Sequence, residues 1–324
     1  MMRLMRLAMG AALLGLVAGP ASLHAETWPT RPVKIIVPAP TGVAPDIIAR
    51  LISERISTPL GQQIIVENYA GAGGIPGMSR LVRSAPDGYT FALVAASTVT
   101  LTPYLFKNPQ FDVDRDLIPV AAAGTSPMMI AVGAKTGITS LADLIARAKA
   151  KPGALNFGYP LKNSVPDLTG AMLNRAAGTE ITPVIYNGSV AEVAAALSGE
   201  ATGTIDGLPP LVGQVKAGTL RAIAVTSLKR LPGYEQVPTV AETFPGFESI
   251  GWFAVFALKG TPPEIVSRLN REINTAIQMP DIVERLAVLG VYPNPGTPEQ
   301  LGSFLAAQRK QWKSVIDAVG LEPQ

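Results

Sequence analysis

The chain has 324 residues, no cysteine and a single histidine, His24, so disulfides and thiol chemistry are excluded, and beyond residue 25 imidazole chemistry is excluded too. With 48% hydrophobic and 16% charged residues it has the composition of a folded protein long enough for two domains. The net charge is +3 at pH 7, and the basic residues are scattered with few aromatics between them, which is not the profile of a nucleic-acid binder.

The first element in chain order is an export signal. Arg3 and Arg6 form a positive start, Leu7 to Ala18 an apolar stretch, and Pro20 to Ala25 a small-residue exit, with cleavage expected near Ala25. The apolar stretch falls well short of the roughly 20 residues that cross a bilayer, so the expected product is a free periplasmic protein, not membrane-inserted. Without residues 1–25, which hold two of the 27 basic residues, 25 basic residues face 24 acidic ones, a net of +1.

From Val33 a β-branched run, Val33–Val37, precedes a Pro/Gly/Ala loop from Pro38 to Pro45. The period then changes: Ile47, Ile48, Leu51, Ile52 and Ile56 share one helical face, Pro45 and Asp46 suit a helix start, and Gly61 is a stop. Ile64–Val66 and Phe91–Val94 read as strands, with Met78–Arg83 a helix between them. Another strand begins near Met128, followed by a helix from about Ser140. A second βα series runs through Ser189–Leu197, Thr204–Ile205 and Ala222–Val225. Trp252–Ala257 is an apolar strand, and amphipathic helices follow over Pro263–Gln278, Asp281–Leu289 and Pro298–Val319. Repeated βα units imply an α/β protein with open, mainly parallel sheets.

The economical arrangement is two open sheets in two domains. Residues 26–126 and 250–324 make domain 1 and residues 127–249 domain 2, with a hinge and a cleft between them. Ligands of open α/β sheets bind at loops after strand carboxyl ends, and two crossing segments invite hinge closure.

Without His and Cys past residue 25, the usual general base, thiol nucleophile and zinc ligands are missing. No Gly-x-Ser-x-Gly, Ser-x-x-Lys or Gly-x4-Gly-Lys-Ser/Thr motif occurs. The run Gly71-Ala72-Gly73-Gly74-Ile75-Pro76-Gly77 superficially resembles a dinucleotide fingerprint, but Pro76 occupies the third glycine position, so the run is read as a tight loop permitting close chain approach. No catalytic residue, metal site or cofactor is expected. In the loop Pro38–Asp46, free amides at a helix start would hold an anion; a merely rigid connection explains the prolines equally well.

Ordered motifs then carry a resemblance. They are Arg31-Pro32 with Val37-Pro38-Ala39-Pro40-Thr41-Gly42-Val43-Ala44-Pro45-Asp46, Val66-Glu67-Asn68, Ala85-Pro86-Asp87-Gly88-Tyr89-Thr90, Leu155-Asn156-Phe157-Gly158, Ile205-Asp206 with Leu208-Pro209, and Val237-Pro238-Thr239. The chain resembles the Bug/TctC extracytoplasmic solute receptors of tripartite tricarboxylate transporters over nearly its whole length past the signal. The resemblance implies a two-domain periplasmic binding protein of type II-like form, a hinge-closing receptor that grips a small carboxylate through amides, hydroxyls and water and hands it to transporter membrane subunits. It implies ligand contacts at Thr41, Gly42, Val43, Ala44, Pro45 and Asp46, and at Ser97 and Thr98 of domain 1. In domain 2 it points to Tyr159, Lys162, Asn163, Ser164, Asn187, Gly188 and Asp206. Asp206 is equally well a strand-end cap.

Ala39, Thr41 and Val43 stand where the family has Phe, Pro and Gly, and Val43 does not readily take a positive φ, so the first loop must be shaped differently. Tyr159 and Leu161 would line an apolar part of the ligand, and Lys162 would meet a second acid group; the alternative is that they face solvent or cap the loop. A monomer is expected. A receptor that signals to a membrane sensor, and a hydrolase or isomerase using Asp46 or Asp206 with Lys162, are the competing functions. Ligand identity and affinity are not legible.

Overall fold

The computed structural model describes residues 28–323; the expected export signal lies outside them. Apolar and β-branched runs form strands, most of which bury both sides beneath helices. The first half begins with β1 (Val33–Val37), α1 (Ala44–Leu60), β2 (Ile64–Asn68), α2 (Ile75–Val82) and β3 (Thr90–Ala95). Three short helices follow, α3 (Ala96–Thr100), α4 (Thr102–Leu105) and α5 (Val113–Asp116). α1 keeps the expected face inward, with Ile48, Leu51, Ile52 and Ile56 buried, and ends where Gly61 turns left-handed at φ +70°.

Next comes β4 (Leu117–Gly133), a strand of 17 residues of which only the end near Met128 was legible in the sequence. Its first part, with Ala121, Ala122 and Ala123, offered no alternation to read. The second half continues with α6 (Leu141–Ala150), β5 (Asn156–Tyr159), α7 (Val165–Ala177), β6 (Thr182–Ile185), α8 (Ser189–Ser198), β7 (Gly203–Gly207), α9 (Leu208–Lys216) and β8 (Leu220–Val225). The chain returns through β9 (Ile250–Leu258) and finishes with α10 (Pro263–Ile277), α11 (Pro280–Val288) and α12 (Pro298–Val319).

Among the described residues, nine strands are joined in the order β2-β1-β3-β9-β4-β7-β5-β6, with β8 also on β4. β1 pairs in parallel with β2 and β3, and β5 with β6 and β7. To these parallel sets β4 and β9 add a long antiparallel pair, from Leu117↔Leu258 to Pro127↔Ile250. Past Pro127, β4 pairs instead with β7 and β8. One unbroken strand therefore serves both halves, and its partner changes at Pro127–Met128. Each half has apolar clusters of its own: Ile35, Phe91 and Leu269 belong to the first, Ile130, Phe157 and Ile205 to the second. At about 1.5–3 kcal/mol for each fully buried large aliphatic side chain, clusters of this size stabilise each half separately.

The glycine-rich run is the tight loop expected. Gly73 and Gly74 take φ of +65° and +90°, and a Cβ on Gly74 would stand 3.0 Å from both the Pro38 Cβ and the Thr98 Cγ2. The missing side chain lets the loops after β1 and β3 close on one point.

Candidate functional site

Two loops, one from each half, are built alike. In the first, Gly42 is left-handed at φ +86°, Val43 is an extended cap at φ −87° and ψ 166°, α1 starts at Ala44 with Pro45 in its first turn, and the Gly42 amide donates to Asp46 Oδ2 at 2.8 Å. In the second, Asn163 is left-handed at φ +59°, Ser164 is the extended cap at φ −82° and ψ 167°, α7 starts at Val165 with Pro166 in its first turn, and the Asn163 amide donates to Asp167 Oδ2 at 2.8 Å. Glycine and asparagine are the residues that reach a left-handed φ most easily. The repeated signature, Gly-Val-Ala-Pro-Asp and Asn-Ser-Val-Pro-Asp, is visible in the sequence once the geometry says what to compare.

Each loop delivers a helix start whose first amides have no carbonyl one turn before them, a concentration of partial positive charge suited to a carboxylate. Thr41, Gly42 and Val43 are exposed and Ala44 half-exposed, so this face is open. Val43 needs no positive φ, because Gly42 supplies the left-handed turn one residue earlier.

The Asp46 carboxylate points away from that face. It is buried, and beyond the Gly42 amide it accepts from Arg50 Nε at 2.9 Å; Arg50 also reaches Asn68 Oδ1 at 3.1 Å, and Asn68 Nδ2 donates to the Ala39 carbonyl. Burial works against the charge, but the bonds from Arg50, Gly42 and Asn68 outweigh it and hold the Asp46 pKa below its ordinary value. Its side chain shapes the loop. Arg50 and Asn68 were not singled out in the sequence; an acid–base pair four residues apart at a helix start was the available signal.

Tyr159 also differs from expectation. Its ring is 2% exposed and lies under α7, where the absence of a side chain at Gly170 makes room for it, so it belongs to the core instead of lining a ligand. Burial pushes its hydroxyl pKa up, with Asp167 and Glu192 adding to the effect. Leu161 and Lys162 are exposed at the loop tip. The Tyr159 and Pro160 carbonyls accept from the Tyr186 and Gly188 amides, both at 2.9 Å, so the turn Tyr186–Gly188 is tied to the loop after β5. Exposed Asn187 and left-handed Gly188 stand at the start of α8.

Asp206, one residue from the end of β7, is 9% exposed and accepts from Ser189 Oγ and, at 2.7 Å, from the Gly207 amide. Burial raises its pKa in spite of these bonds. Beside it, wholly buried, is Glu192 of α8, which no local pattern singles out. In the first half Ser97 is half-exposed in α3, and Thr98 is buried against Gly74.

The two halves of the candidate site meet through α12. Trp312 and Ile316 of α12 form one apolar cluster with Leu101, just past α3, and with Val165 and Leu168 at the start of α7. A hydroxyl contact of 2.5 Å between Thr169 of α7 and Ser249, just before β9, fixes α7 to the returning strand. A separate cavity of about 1160 Å³ lies beside the crossing strands, lined by Thr125, Pro127, Ile250, Leu208 and Tyr292 among others, and by none of the candidate residues. Among the described residues no cluster of three acidic, His or Cys side chains is placed to hold a metal ion, and no helix is long and apolar enough to cross a membrane.

Comparison with known proteins agrees with this architecture. Residues 48–321 match the family model described as tripartite tricarboxylate transporter family receptor. Protein BugT of Bordetella pertussis is 36% identical over 307 residues, covering 94% of this chain and 93% of BugT. An R. palustris protein solved with adipate is 32% identical with a TM-score of 0.75, over 92% of this chain and 100% of its own. MatC from Rhodopseudomonas palustris, solved with bound malate, is 28% identical with a TM-score of 0.70, over 89% and 100%.

Proposed function

Since the chain belongs to the tripartite tricarboxylate transporter family of receptors, we propose that it captures a small organic carboxylate in the periplasm and delivers it to the family's membrane subunits. The observation that carries this reading is the matched pair of helix starts, α1 after Gly42–Val43 and α7 after Asn163–Ser164, one on each half. Amides from both sides suit an anion better than any neutral solute, and adipate and malate, found with two relatives, are both carboxylic acids.

In this reading Thr41 to Ala44, with Ser97, form the domain 1 wall, while Lys162 to Ser164, Asn187, Gly188 and Asp206 form the domain 2 wall. Asp46 acts through the loop it holds. Residues 26–126 and 250–324 are domain 1 and 127–249 domain 2, hinged where β4 and β9 pass between the sheets. Residues 1–25 are the export signal, cleaved near Ala25, and the exported protein is a monomer.

The test is a thermal-shift screen of the exported protein against mono-, di- and tricarboxylates, hydroxy acids and amino acids. A ligand at about 100 times its dissociation constant adds roughly 2.7 kcal/mol of stability, which is readily measured. A screen that yields no stabilising acid refutes the receptor reading.

A further inference from the structure

The cavity of about 1160 Å³ beside the crossing strands draws its walls from both halves. One wall is α9 with the loop after β8, which gives Val212, Leu228 and Tyr234; the other is α11 with the loop after it, which gives Ala287, Val288 and Tyr292. The walls approach closely at Gly290, where a Cβ would stand 2.8 Å from Pro209 Cδ. The cavity is slightly larger than the roughly 300–1,000 Å³ of most small-molecule sites. Leu228, Val283 and Val288 line it and are exposed, so its apolar surface continues outward to solvent.

The charges around it are unevenly placed. Lys216, at the end of α9, and Lys229, in the loop after β8, make no ion pair among the described residues. The Arg230 guanidinium beside them is taken by Glu242, with Nη2 2.7 Å from Oε2. Against the two lysines stand Glu284, exposed on α11, and Glu248, which is half-buried and whose pKa burial raises. Uncompensated positive charge thus lies on the α9 wall, away from Glu284, and the half-buried phenols of Tyr234 and Tyr292 add neutral donors.

We propose that this cavity is a second ligand site, separate from the carboxylate cleft, which takes an amphipathic organic acid: its hydrocarbon chain or ring lies between α9 and α11, and its acid group meets Lys216 and Lys229. Apolar walls favour the body, and the two lysines favour an anionic head over a neutral or cationic one. Because the walls belong to different halves, a bound acid holds them at one separation. It therefore favours one setting of the hinge and changes the affinity of the cleft for its carboxylate. This coupling, unlike the site itself, rests on the receptor reading.

The test uses the exported protein and the fluorescent probe anilinonaphthalene sulfonate, an apolar-bodied anion, with decanoate, decanol and decyltrimethylammonium below their micelle concentrations as competitors. One equivalent of probe binds, and decanoate displaces it at about one-tenth the concentration that the alcohol or the cation needs. Lys216→Glu combined with Lys229→Glu removes that preference. Ala287→Phe, at an exposed position of α11, fills the cavity and weakens decanoate about ten-fold, while thermal unfolding of the variants stays cooperative. Saturating decanoate changes the dissociation constant of an acid found by thermal shift about five-fold or more. Failure of the probe and of all three amphiphiles to bind overturns the site in favour of a protein partner that covers the exposed rim. Equal displacement by the three overturns the acid preference. Probe binding that survives Ala287→Phe and is excluded by the short acid places the probe in the cleft and overturns the proposal. Unchanged carboxylate affinity overturns the coupling alone, and a thermal-shift screen that yields no acid overturns the receptor reading while the probe still decides the second site.

Discussion

Replacing Glu192 by Gln removes a titratable group from a wholly buried position while keeping its size. In the folded chain Glu192 is protonated up to about pH 9, whereas its ordinary value is 4.5. The native state thus binds the proton more tightly than the unfolded state, and stability is full below about 4.5 and falls as pH climbs toward 9. Each pH unit in that window costs about 1.4 kcal/mol, which sets a ceiling of roughly 3 kcal/mol at pH 7 for the penalty of keeping this group neutral. Glutamine pays no such penalty. Denaturant unfolding at several pH values between 4 and 8 should therefore show Glu192→Gln close to the unaltered protein at the acid end and increasingly more stable toward pH 8. Asp206 titrates in both proteins and largely cancels in the difference. A stability difference independent of pH would refute the assignment of the proton to Glu192.

Two further outcomes follow from the loops and the hinge. Arg50→Ala strips the buried Asp46 carboxylate of its charged partner and leaves the Gly42 amide and Asn68, which should cost about 1–3 kcal/mol in denaturant unfolding and weaken ligand binding through the loosened loop; unchanged affinity for a ligand found in the screen would show that the loop holds its shape without the clip. Gly290→Ala places a Cβ 2.8 Å from Pro209 Cδ, at a left-handed φ of +64°, where the loop after α11 touches the start of α9. The expected result is a wedge between the halves: the ligand-induced decrease in radius of gyration, measured by small-angle X-ray scattering, becomes smaller, while an unaltered decrease would place the hinge motion elsewhere.

The strongly periodic elements were legible in the sequence, whereas β5, α7, β6 and α9 were not expected there. Ile48, Leu51, Ile52 and Ile56 repeat at helical spacing and α1 buries them; Pro298–Val319 was bounded to the residue, because Thr297 and Gly320 act as stops within one turn of the helix. The candidate loops were legible as well, since Pro, Gly and Asn betray turns locally. What local pattern did not contain was the partner of each polar group. Asp46 could be named from its place before a helix, but the direction of its carboxylate depended on Arg50 and Asn68. Tyr159 belonged to the right loop, yet only the open side of Gly170 on α7 drew its ring inward. Glu192 stood next to Val193 as an ordinary polar residue of a short helix, and its burial beside Asp206 arose when α8 packed on β5 and β7. The continuity of β4 through both sheets was hidden for the same reason, since Ala121–Ala123 carry no period and become strand because β9 lies alongside. Periodicity acts over a turn or a strand, so the sequence alone determined the periodic elements, α1 and α12 among them, and the α/β class. Desolvation and pairing act across the fold, so the tertiary structure alone decided which polar groups are buried, what each is paired with, and where the two halves join.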